Sequence, residues 1–224
     1  MKFAPPLESF SATSVDPPVH GFLARPQVSN RHGMVLAHGA GSSCHAPLLV
    51  RLAALLCSTG FTVLGCDLPF RQLRPVGPPP AGFGAQDRKG LKNAVQVLRG
   101  LVSERVFLGG HSYGGRQASQ LSAEEQGLAD GLFLLSYPLH PPRNPDQLRT
   151  GHFPDLRVPA LFVHGTRDPF GSIADMGRAL ALIPGRTLLR QVAGAGHELG
   201  FRKGTGPENE VGAWVGTLQE FFAV

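Results

Sequence analysis

The feature that most constrains what this chain can fold into is the segment Gly110-His-Ser-Tyr-Gly114, where a short β-rich run gives way to a helical pattern. A serine on a sharp turn between a strand and a helix has a strained backbone, so the residues two before and two after it must lack bulk. Both are glycine here, and Gly115 lets the following helix approach the sheet closely. The pattern predicts a nucleophile elbow that presents the Ser112 hydroxyl outward, with an incidental serine in a glycine-rich turn as the alternative.

Two further polar residues follow predicted strands. Asp168 comes after the apolar run 158–164, and His197 lies in a small-residue loop after the run 187–192. The chain order Ser, Asp, His, with each residue at the end of a strand, is the order of the α/β-hydrolases. Agreement of separate motifs in order and context favours a shared site over coincidence.

These three residues have complementary chemistry. A free serine hydroxyl is a poor nucleophile at neutral pH, so Ser112 needs a base within hydrogen-bond reach, and we assign that role to His197. Asp168 is expected to hold the imidazole in the right tautomer and to stabilise the imidazolium. The alternatives are a surface-loop histidine and a turn-forming aspartate before Pro169.

A fourth motif lies upstream. Residues 34–41 predict a strand that leads into a His-Gly loop of the kind such enzymes use to bind an oxyanion. The expected donors are the backbone N–H groups of Tyr113, directly after the serine, and of Ala40, with Gly39 as a substitute for Ala40.

Several segments resemble a group of short hydrolases related to dienelactone hydrolases and to a hydrolase-like subunit of animal chromatin complexes. The segments are residues 114–119, 137–142, 148–153 and 164–171. The resemblance implies an α/β-hydrolase fold with Ser112, Asp168 and His197 as catalytic residues, and it implies a structural role for His38 in the oxyanion loop. Dienelactone hydrolases carry a cysteine nucleophile where this chain has Ser112, so lactone chemistry does not carry over.

Candidate substrate-binding residues are Arg116 and His140. A guanidinium offers a rigid fork of donors for a carboxylate, and Arg71, Arg74 and Arg167 are further candidates. Structural pairing with acids is an equally good interpretation of these arginines, and loop histidines such as His140 and His152 are often solvent-facing. For Asp67 we expect a turn role, and Cys44 follows the oxyanion loop without an elbow of its own.

The chain is expected to form a single α/β domain over residues 1–224. Its β-α-β-α pattern from residue 33 onward predicts a mostly parallel sheet between helices, and residues 9–25 predict an antiparallel hairpin at one edge. The apolar fraction of 42% is enough for a substantial core. Only about twenty Pro-rich residues separate the strands ending near 135 and starting near 158, so we expect a minimal lid or none.

Charge and cysteine content narrow the classes of partner. The net charge is +5, but the basic residues are scattered without a dense block, which argues against nucleic-acid binding.

No cofactor or metal is implied, because the glycine-rich run at residue 39 lacks the third glycine of a dinucleotide motif and His197-Glu198 lacks the second histidine of a zinc protease motif. Three cysteines and the absence of a signal-like or spanning segment suggest a cytoplasmic protein with a small-molecule substrate and no membrane partner.

The leading hypothesis is a serine hydrolase that cleaves a small ester, thioester or amide through an acyl-enzyme. A carboxylesterase-like activity ranks first because this fold most often hosts it. Acyl transfer to an acceptor other than water and a non-enzymatic interaction domain are the alternatives. Substrate identity and oligomeric state do not follow from the motifs.

Overall fold

Eight strands form one sheet in the computed structural model, which describes residues 6–201 and 208–224. Their spatial order is β1-β2-β4-β3-β5-β6-β7-β8. The strands are β1 Leu7–Ala12, β2 Val19–Ala24, β3 Gly33–Ala37, β4 Thr62–Asp67, β5 Val106–His111, β6 Leu132–Leu135, β7 Ala160–Gly165 and β8 Thr187–Val192. The first two strands run antiparallel, whereas β3 to β8 are paired parallel. The predicted edge hairpin and mostly parallel sheet are confirmed.

Six helices connect the strands within the described residues. They are α1 Pro47–Ser58, α2 Pro69–Leu73, α3 Gly84–Arg99, α4 Tyr113–Glu124, α5 Ile173–Leu180 and α6 Glu208–Phe222. The helices alternate with strands as the β-α-β-α pattern predicts, and α2 is too short to show an apolar period of its own. The apolar spacing of residues 91, 94, 95, 98 and 101 predicts one buried helix face that includes Leu101, but α3 ends at Arg99 and Leu101 is 41% exposed.

The core consists of two layers, one on each face of the sheet. Successive side chains of a strand point to opposite faces, and β3 illustrates the consequence. Val35 and Ala37 pack with α3 and α4 in one layer, whereas Met34 and Leu36 pack with α1 and α6 in the other. Burial on both faces explains why the central strands read as continuous apolar runs.

The carboxyl ends of the parallel strands bring the candidate residues to one edge of the sheet. Ser112 follows β5, the loop at residues 38–42 follows β3, Asp168 follows β7 and His197 follows β8. Between β6 and β7, the only helical element is a 3-10 turn at Phe153–Asp155, so the expected absence of a helical lid is confirmed. Within the described ranges, no helix has the length and apolar character needed to cross a bilayer.

Candidate active site

The turn at Ser112 has the strained geometry that the sequence predicts. Ser112 has φ 52° and ψ −115°, a conformation that costs a non-glycine residue about 1–3 kcal/mol. Its neighbours explain the glycines: a β-carbon at Gly110 would lie 2.7 Å from the nitrogen of Gly115, and one at Gly114 would lie 2.6 Å from the carbonyl oxygen of His38. The backbone therefore holds Ser112 at the tip of β5 only because these positions lack side chains.

Ser112, His197 and Asp168 form a hydrogen-bonded line. The Oγ atom of Ser112 lies 2.7 Å from Nε2 of His197. On the other side of the ring, Nδ1 lies 2.8 Å from Oδ2 and 3.1 Å from Oδ1 of Asp168. A carboxylate is an acceptor, so Nδ1 carries the proton and Nε2 is left to accept the serine proton.

Asp168 is buried and accepts a backbone hydrogen bond in addition to its contact with His197. The residue is 6% exposed, and its Oδ1 accepts the backbone N–H of Phe170 at 2.9 Å. His164 lies nearby, with Nε2 donating to the carbonyl of Gly171 at 2.8 Å and lying 3.7 Å from Oδ2 of Asp168. These contacts fix the carboxylate so that it faces His197.

The loops that carry Asp168 and His197 are joined through their backbones. The N–H of Arg167 donates to the carbonyl of Ala195 at 2.9 Å, and Thr166 accepts from the N–H of Gly194 through its hydroxyl at 2.8 Å. A β-carbon at Gly165 would lie 2.3 Å from the carbonyl oxygen of Ala195, so the approach requires glycine there. This contact brings together residues that are far apart in the chain.

Sequence reasoning missed two residues that hold the His197 side of the site. The Phe170 ring lies 4.1 Å from the imidazole of His197, centroid to centroid, with an angle of 31° between the rings. His111 is buried, and its Nε2 lies 2.9 Å from the carbonyl oxygen of His197, which only a protonated Nε2 can satisfy. Burial lowers the pKa of His111, so it donates as a neutral ring. Its place between Gly110 and Ser112 was the available signal.

The expected oxyanion donors lie beside the serine. Tyr113 is the first residue of α4, where helix geometry leaves the backbone N–H without an intrahelical acceptor. The loop after β3 lies against the turn at Ser112. A β-carbon at Gly39 in this loop would lie 3.6 Å from Cβ of Ser112 and 3.1 Å from Nδ1 of His111. Ala40 is the next residue of this loop and is half-buried.

Arg71 ties the loop after β3 to the segment that follows α2. Its guanidinium donates to the carbonyls of Ala40 and Ser42 at 2.8 Å, and to those of Arg74 and Gly77 at 2.9 Å. The residue is 6% exposed. Because its donors are occupied by backbone carbonyls, Arg71 is not the substrate clamp that its residue type allowed.

His38 and Asp67 also serve the loop. Nδ1 of His38 lies 2.8 Å from the carbonyl oxygen of Gly39, and Nε2 accepts the N–H of Leu68 at 3.1 Å. Burial lowers the pKa of His38, in keeping with a neutral ring that has one donor and one acceptor. Asp67 ends β4, and its Oδ1 accepts the N–H of Cys44 at 2.8 Å, so it holds the loop after β3 across the fold and does not have the local turn role expected for it.

The side chain of Tyr113 is anchored away from the reacting hydroxyl. Its O–H donates to Oδ2 of Asp87 at 2.6 Å, and Oδ1 of the same carboxylate accepts the N–H of Phe70 at 3.0 Å. Burial raises the pKa of both Asp87 and Tyr113. This contact links α4 to α2 and α3 directly behind the elbow.

The remaining candidates have different environments. Arg116 is half-buried in the first turn of α4, and His140 is buried with Nδ1 2.9 Å from the carbonyl oxygen of Pro141, so it is not solvent-facing. No hydrogen bond joins either side chain to Ser112, Asp168 or His197 in the part of the chain that the structure describes. Their role in substrate binding stays a prediction. Two candidate arginines, Arg74 and Arg167, are exposed.

Two other residues weighed in the sequence lie outside the hydrogen-bonded line. His152 contacts Ser119 through Nε2 at 2.8 Å, and Cys44 is fully buried, with its thiol pKa raised by burial. Among residues 6–201 and 208–224, no group of three or more His, Cys, Asp or Glu residues is arranged to hold a metal ion.

A family model described as an alpha/beta hydrolase domain matches residues 30–218. The chain belongs to this α/β-hydrolase family. The match covers the elbow, both loops of the hydrogen-bonded line and the loop after β3, so family membership and the site geometry concern the same part of the chain.

Solved structures share the fold at low sequence identity. A dienelactone hydrolase from Anabaena variabilis has a TM-score of 0.76 and 22% identity, and the alignment covers 99% of this chain and 98% of that one. An α/β serine hydrolase homologue from Coxiella burnetii gives a TM-score of 0.74 at 16% identity, covering 94% and 97%. A serine hydrolase without lid from Xanthomonas campestris gives 0.68 at 18%, covering 96% and 94%.

These neighbours confirm the α/β-hydrolase fold expected from the motifs. At these identities they speak to fold and not to substrate. The expected relation to a subunit of animal chromatin complexes stays an expectation.

Proposed function

We propose that this protein is a serine hydrolase that cleaves small esters through an acyl-enzyme. The observation that carries the proposal is the line of hydrogen bonds from Ser112 through His197 to Asp168, with 2.7 Å and 2.8 Å between the bonded atoms. A nucleophile, a base and a group that orients the base are the parts that acyl transfer to serine requires.

The reaction follows from the proton positions. His197 accepts the Ser112 proton at Nε2 while Oγ attacks the substrate carbonyl, and Asp168 stabilises the imidazolium. The imidazolium then protonates the leaving alcohol, which departs and leaves an acyl-serine. Water enters, His197 removes its proton, and collapse of the second tetrahedral intermediate releases the acid and restores the Ser112 hydroxyl.

The developing oxyanion needs donors that are fixed in advance. We assign this role to the backbone N–H groups of Tyr113 and Ala40, each worth about 3 kcal/mol of transition-state stabilisation. Support comes from the helix start at Tyr113 and from His38, whose Nδ1 lies 2.8 Å from the carbonyl oxygen of Gly39 and so holds the peptide that carries the Ala40 N–H.

Small substrates are favoured by the short segment at residues 136–159, which has no helical lid. Among the structural neighbours are a protein named as a dienelactone hydrolase and one named as a serine hydrolase without lid. Ester cleavage is proposed first, and thioesters and amides belong to the same reaction class. We also propose a reducing, cytoplasmic location, because the cysteines Cys44, Cys57 and Cys66 are all unpaired and buried.

The test is hydrolysis of p-nitrophenyl acetate and butyrate at neutral pH. We expect turnover by the native protein and a loss of at least about 10³-fold in Ser112→Ala. Ser103→Ala is a matched control, since Ser103 is an exposed loop serine, and it should retain full activity. Equal rates in the native protein and Ser112→Ala, with both variants folded, would favour a non-enzymatic interaction domain. Added alcohols that divert the acyl group from water at low concentration would favour acyl transfer.

A further inference from the structure

A cavity of about 540 Å³ lies between α4 and the segment that follows β6. Arg116 and Gln120 line it from α4, and residues 147–149, Gly151 and His152 line it from the opposite side. Arg116 and Gln120 also line a second cavity of about 380 Å³ that includes Tyr113, the residue directly after Ser112. The elbow helix therefore connects the serine with both cavities.

Two guanidinium groups in the larger cavity have no carboxylate partner. Within residues 6–201 and 208–224, no ion pair joins Arg116 or Arg149 to an aspartate or glutamate. The Arg149 side chain donates to the carbonyl of Pro138 at 3.3 Å. Both side chains line this one cavity, and burial, followed by the charge of Arg116, lowers the pKa of Arg149.

The polar atoms at the cavity wall include two that lack a partner. Nε of Arg116 and Oε1 of Gln120 are buried and make no hydrogen bond. Native structures leave few such atoms unsatisfied, and an ion bound beside them is one of the ordinary explanations. Nearby Arg88 provides a contrast, since it donates to Glu124 at 2.8 Å and to Gln117 at 3.0 Å.

His152 adds no charge to the cavity at neutral pH. Burial and the positive charge of Arg116 lower its pKa to about 4. Its Nε2 contacts the hydroxyl of Ser119, which in turn donates to the carbonyl of Arg116 at 2.9 Å. The positive charge of this cavity therefore comes from the two arginines.

We propose that this cavity binds an anionic group, a carboxylate or a phosphate, carried by the substrate whose carbonyl Ser112 attacks. Guanidinium forks match the oxygen geometry of both anions. Arg116 donates its backbone N–H to the carbonyl of Ser112 at 3.0 Å, and four residues of helix span about 6 Å along the axis. Arg116 is therefore one helical turn from Ser112 along the chain, and we expect a substrate with a few carbon atoms between ester and anion. The inference rests on the proposed function and defines its substrate class.

Binding is tested without turnover in the Ser112→Ala protein. Calorimetric titrations use glutarate, inorganic phosphate and the neutral diamide glutaramide. We expect at least one of the two anions to bind and the diamide not to bind. The affinity for the anion should fall as the salt concentration rises. Arg149→Gln and Arg116→Gln should each weaken anion binding by about tenfold or more, whereas Arg178→Gln, an exposed arginine on α5, should leave it unchanged.

Kinetics tests the link to the serine. Three p-nitrophenyl esters serve as substrates. They are mono-p-nitrophenyl glutarate, a p-nitrophenyl ester of the same chain length that ends in a phosphonate, and the neutral p-nitrophenyl valerate. In the native protein we expect kcat/KM to favour an anionic ester by about tenfold. In Arg149→Gln the preference should vanish through a higher KM for the anionic ester, whereas Arg178→Gln should keep it. The glutarate and phosphonate arms distinguish the two anions, and Arg149→Lys should restore part of the preference.

The outcomes separate the anion site from the hydrolase itself. Equal binding of glutarate and glutaramide, or anion binding that survives both arginine substitutions in folded proteins, would overturn the anion site. Turnover of all three esters at one rate would do the same while leaving the hydrolase intact. Anion binding that depends on both arginines, without hydrolysis of any ester, would support the anion site and contradict the proposed reaction.

Discussion

The two sides of Ser112 are built differently. On one side, the loop after β3 is held by buried hydrogen bonds from Arg71, His38 and Asp67. On the other side, residues 136–159 contain a single 3-10 turn, and Arg149 of this segment lines a cavity together with Arg116 of α4, with no carboxylate partner for either among the described residues. The first side is fixed by contacts within the protein, whereas the second keeps polar groups available for a ligand.

This difference shows how one residue type serves two purposes. Arg71 and Arg116 are equivalent as sequence letters, and both were candidates for a substrate clamp. Arg71 gives its donors to four carbonyls, but the Nε of Arg116 has no partner. We infer that the fixed side stabilises the oxyanion, which every ester substrate forms, and that the open side determines which esters bind. Substitutions on the fixed side should therefore change stability and kcat, and those on the open side KM.

The largest effect is expected from Gly114→Ala. The new β-carbon would lie 2.6 Å from the backbone oxygen of His38 and 2.8 Å from the backbone of Ala37, and neither can move without shifting β3. We expect the free energy of unfolding to fall by about 3 kcal/mol, measured by urea denaturation. Gly177→Ala is the control, because nothing lies within 4 Å of a β-carbon there. A stable Gly114→Ala protein would refute the close approach of α4 to β3.

Arg71→Gln should follow in size. Loss of the guanidinium leaves several buried carbonyls without donors and frees the loop at Ala40, so we expect a loss of roughly 2–3 kcal/mol in unfolding free energy and a lower kcat for p-nitrophenyl butyrate. Arg74→Gln, three residues away and exposed, serves as control. If both variants behave like the native protein, the loop is not held by Arg71.

Acid should destabilise the protein through its buried histidines. Burial lowers the pKa of His38, His111, His152 and His164 below the ordinary value of 6.5. The folded state then binds fewer protons than the unfolded state. The contribution of these histidines to the free energy of unfolding is therefore fully present above pH 6.5 and is lost as the pH falls toward their pKa values in the folded state. For His152, with a folded pKa of about 4, the loss at pH 5 is at most roughly 2 kcal/mol.

Urea denaturation at several pH values measures this effect. Replacement of His152 by Gln should flatten the pH dependence of unfolding between pH 4 and 6.5. Unfolding free energies that stay constant from pH 7 to pH 5 would mean that these rings take up protons equally in the folded and unfolded states, so that burial does not lower their pKa.

His111→Phe should reduce kcat by about tenfold while leaving KM unchanged. Phenylalanine fills the buried site but donates no hydrogen bond to the carbonyl of His197, so the imidazole loses one of its restraints. His111→Gln retains an N–H donor and should recover part of the rate. A parallel loss of kcat in the Phe and Gln variants would point to packing and not to this hydrogen bond.

The smallest effect is expected on the open side, from Leu148→Ala. The side chain is 52% exposed at the wall of the larger cavity, so the free energy of unfolding should change by less than about 0.5 kcal/mol. KM for the glutarate ester should rise about threefold from the lost apolar contact. A large loss of stability here would remove the contrast between the two sides.

The strands and five of the six described helices could be predicted from the sequence, as could the position of Ser112, Asp168 and His197 at one edge of the sheet. Glycines at 110 and 114, strand periodicity and the order of Ser112, Asp168 and His197 are local signals, and parallel topology brings the ends of β5, β7 and β8 to one edge. The short helix α2 was missed because five residues show no period. The motif also left open whether Ser112 was an incidental serine in a glycine-rich turn. The distance of 2.7 Å between its Oγ and Nε2 of His197 favours a nucleophile.

Contacts between distant segments were beyond sequence reasoning. No sequence pattern shows that Phe170 packs against the imidazole of His197 or that Tyr113 donates to Asp87. The same is true of the hydrogen bond from Arg71 to the carbonyl of Ala40. Each pairing depends on how two loops meet in space. The same limit applies to Arg149, which was not considered as a partner of Arg116.

The most direct measurement is labelling with a fluorophosphonate probe, followed by mass spectrometry of the modified peptide. We expect one adduct on Ser112, none in Ser112→Ala, and a much slower reaction in His197→Gln, because the serine loses its base. An adduct on another residue, or equal labelling of native protein and Ser112→Ala, would contradict the assignment of Ser112 as the nucleophile.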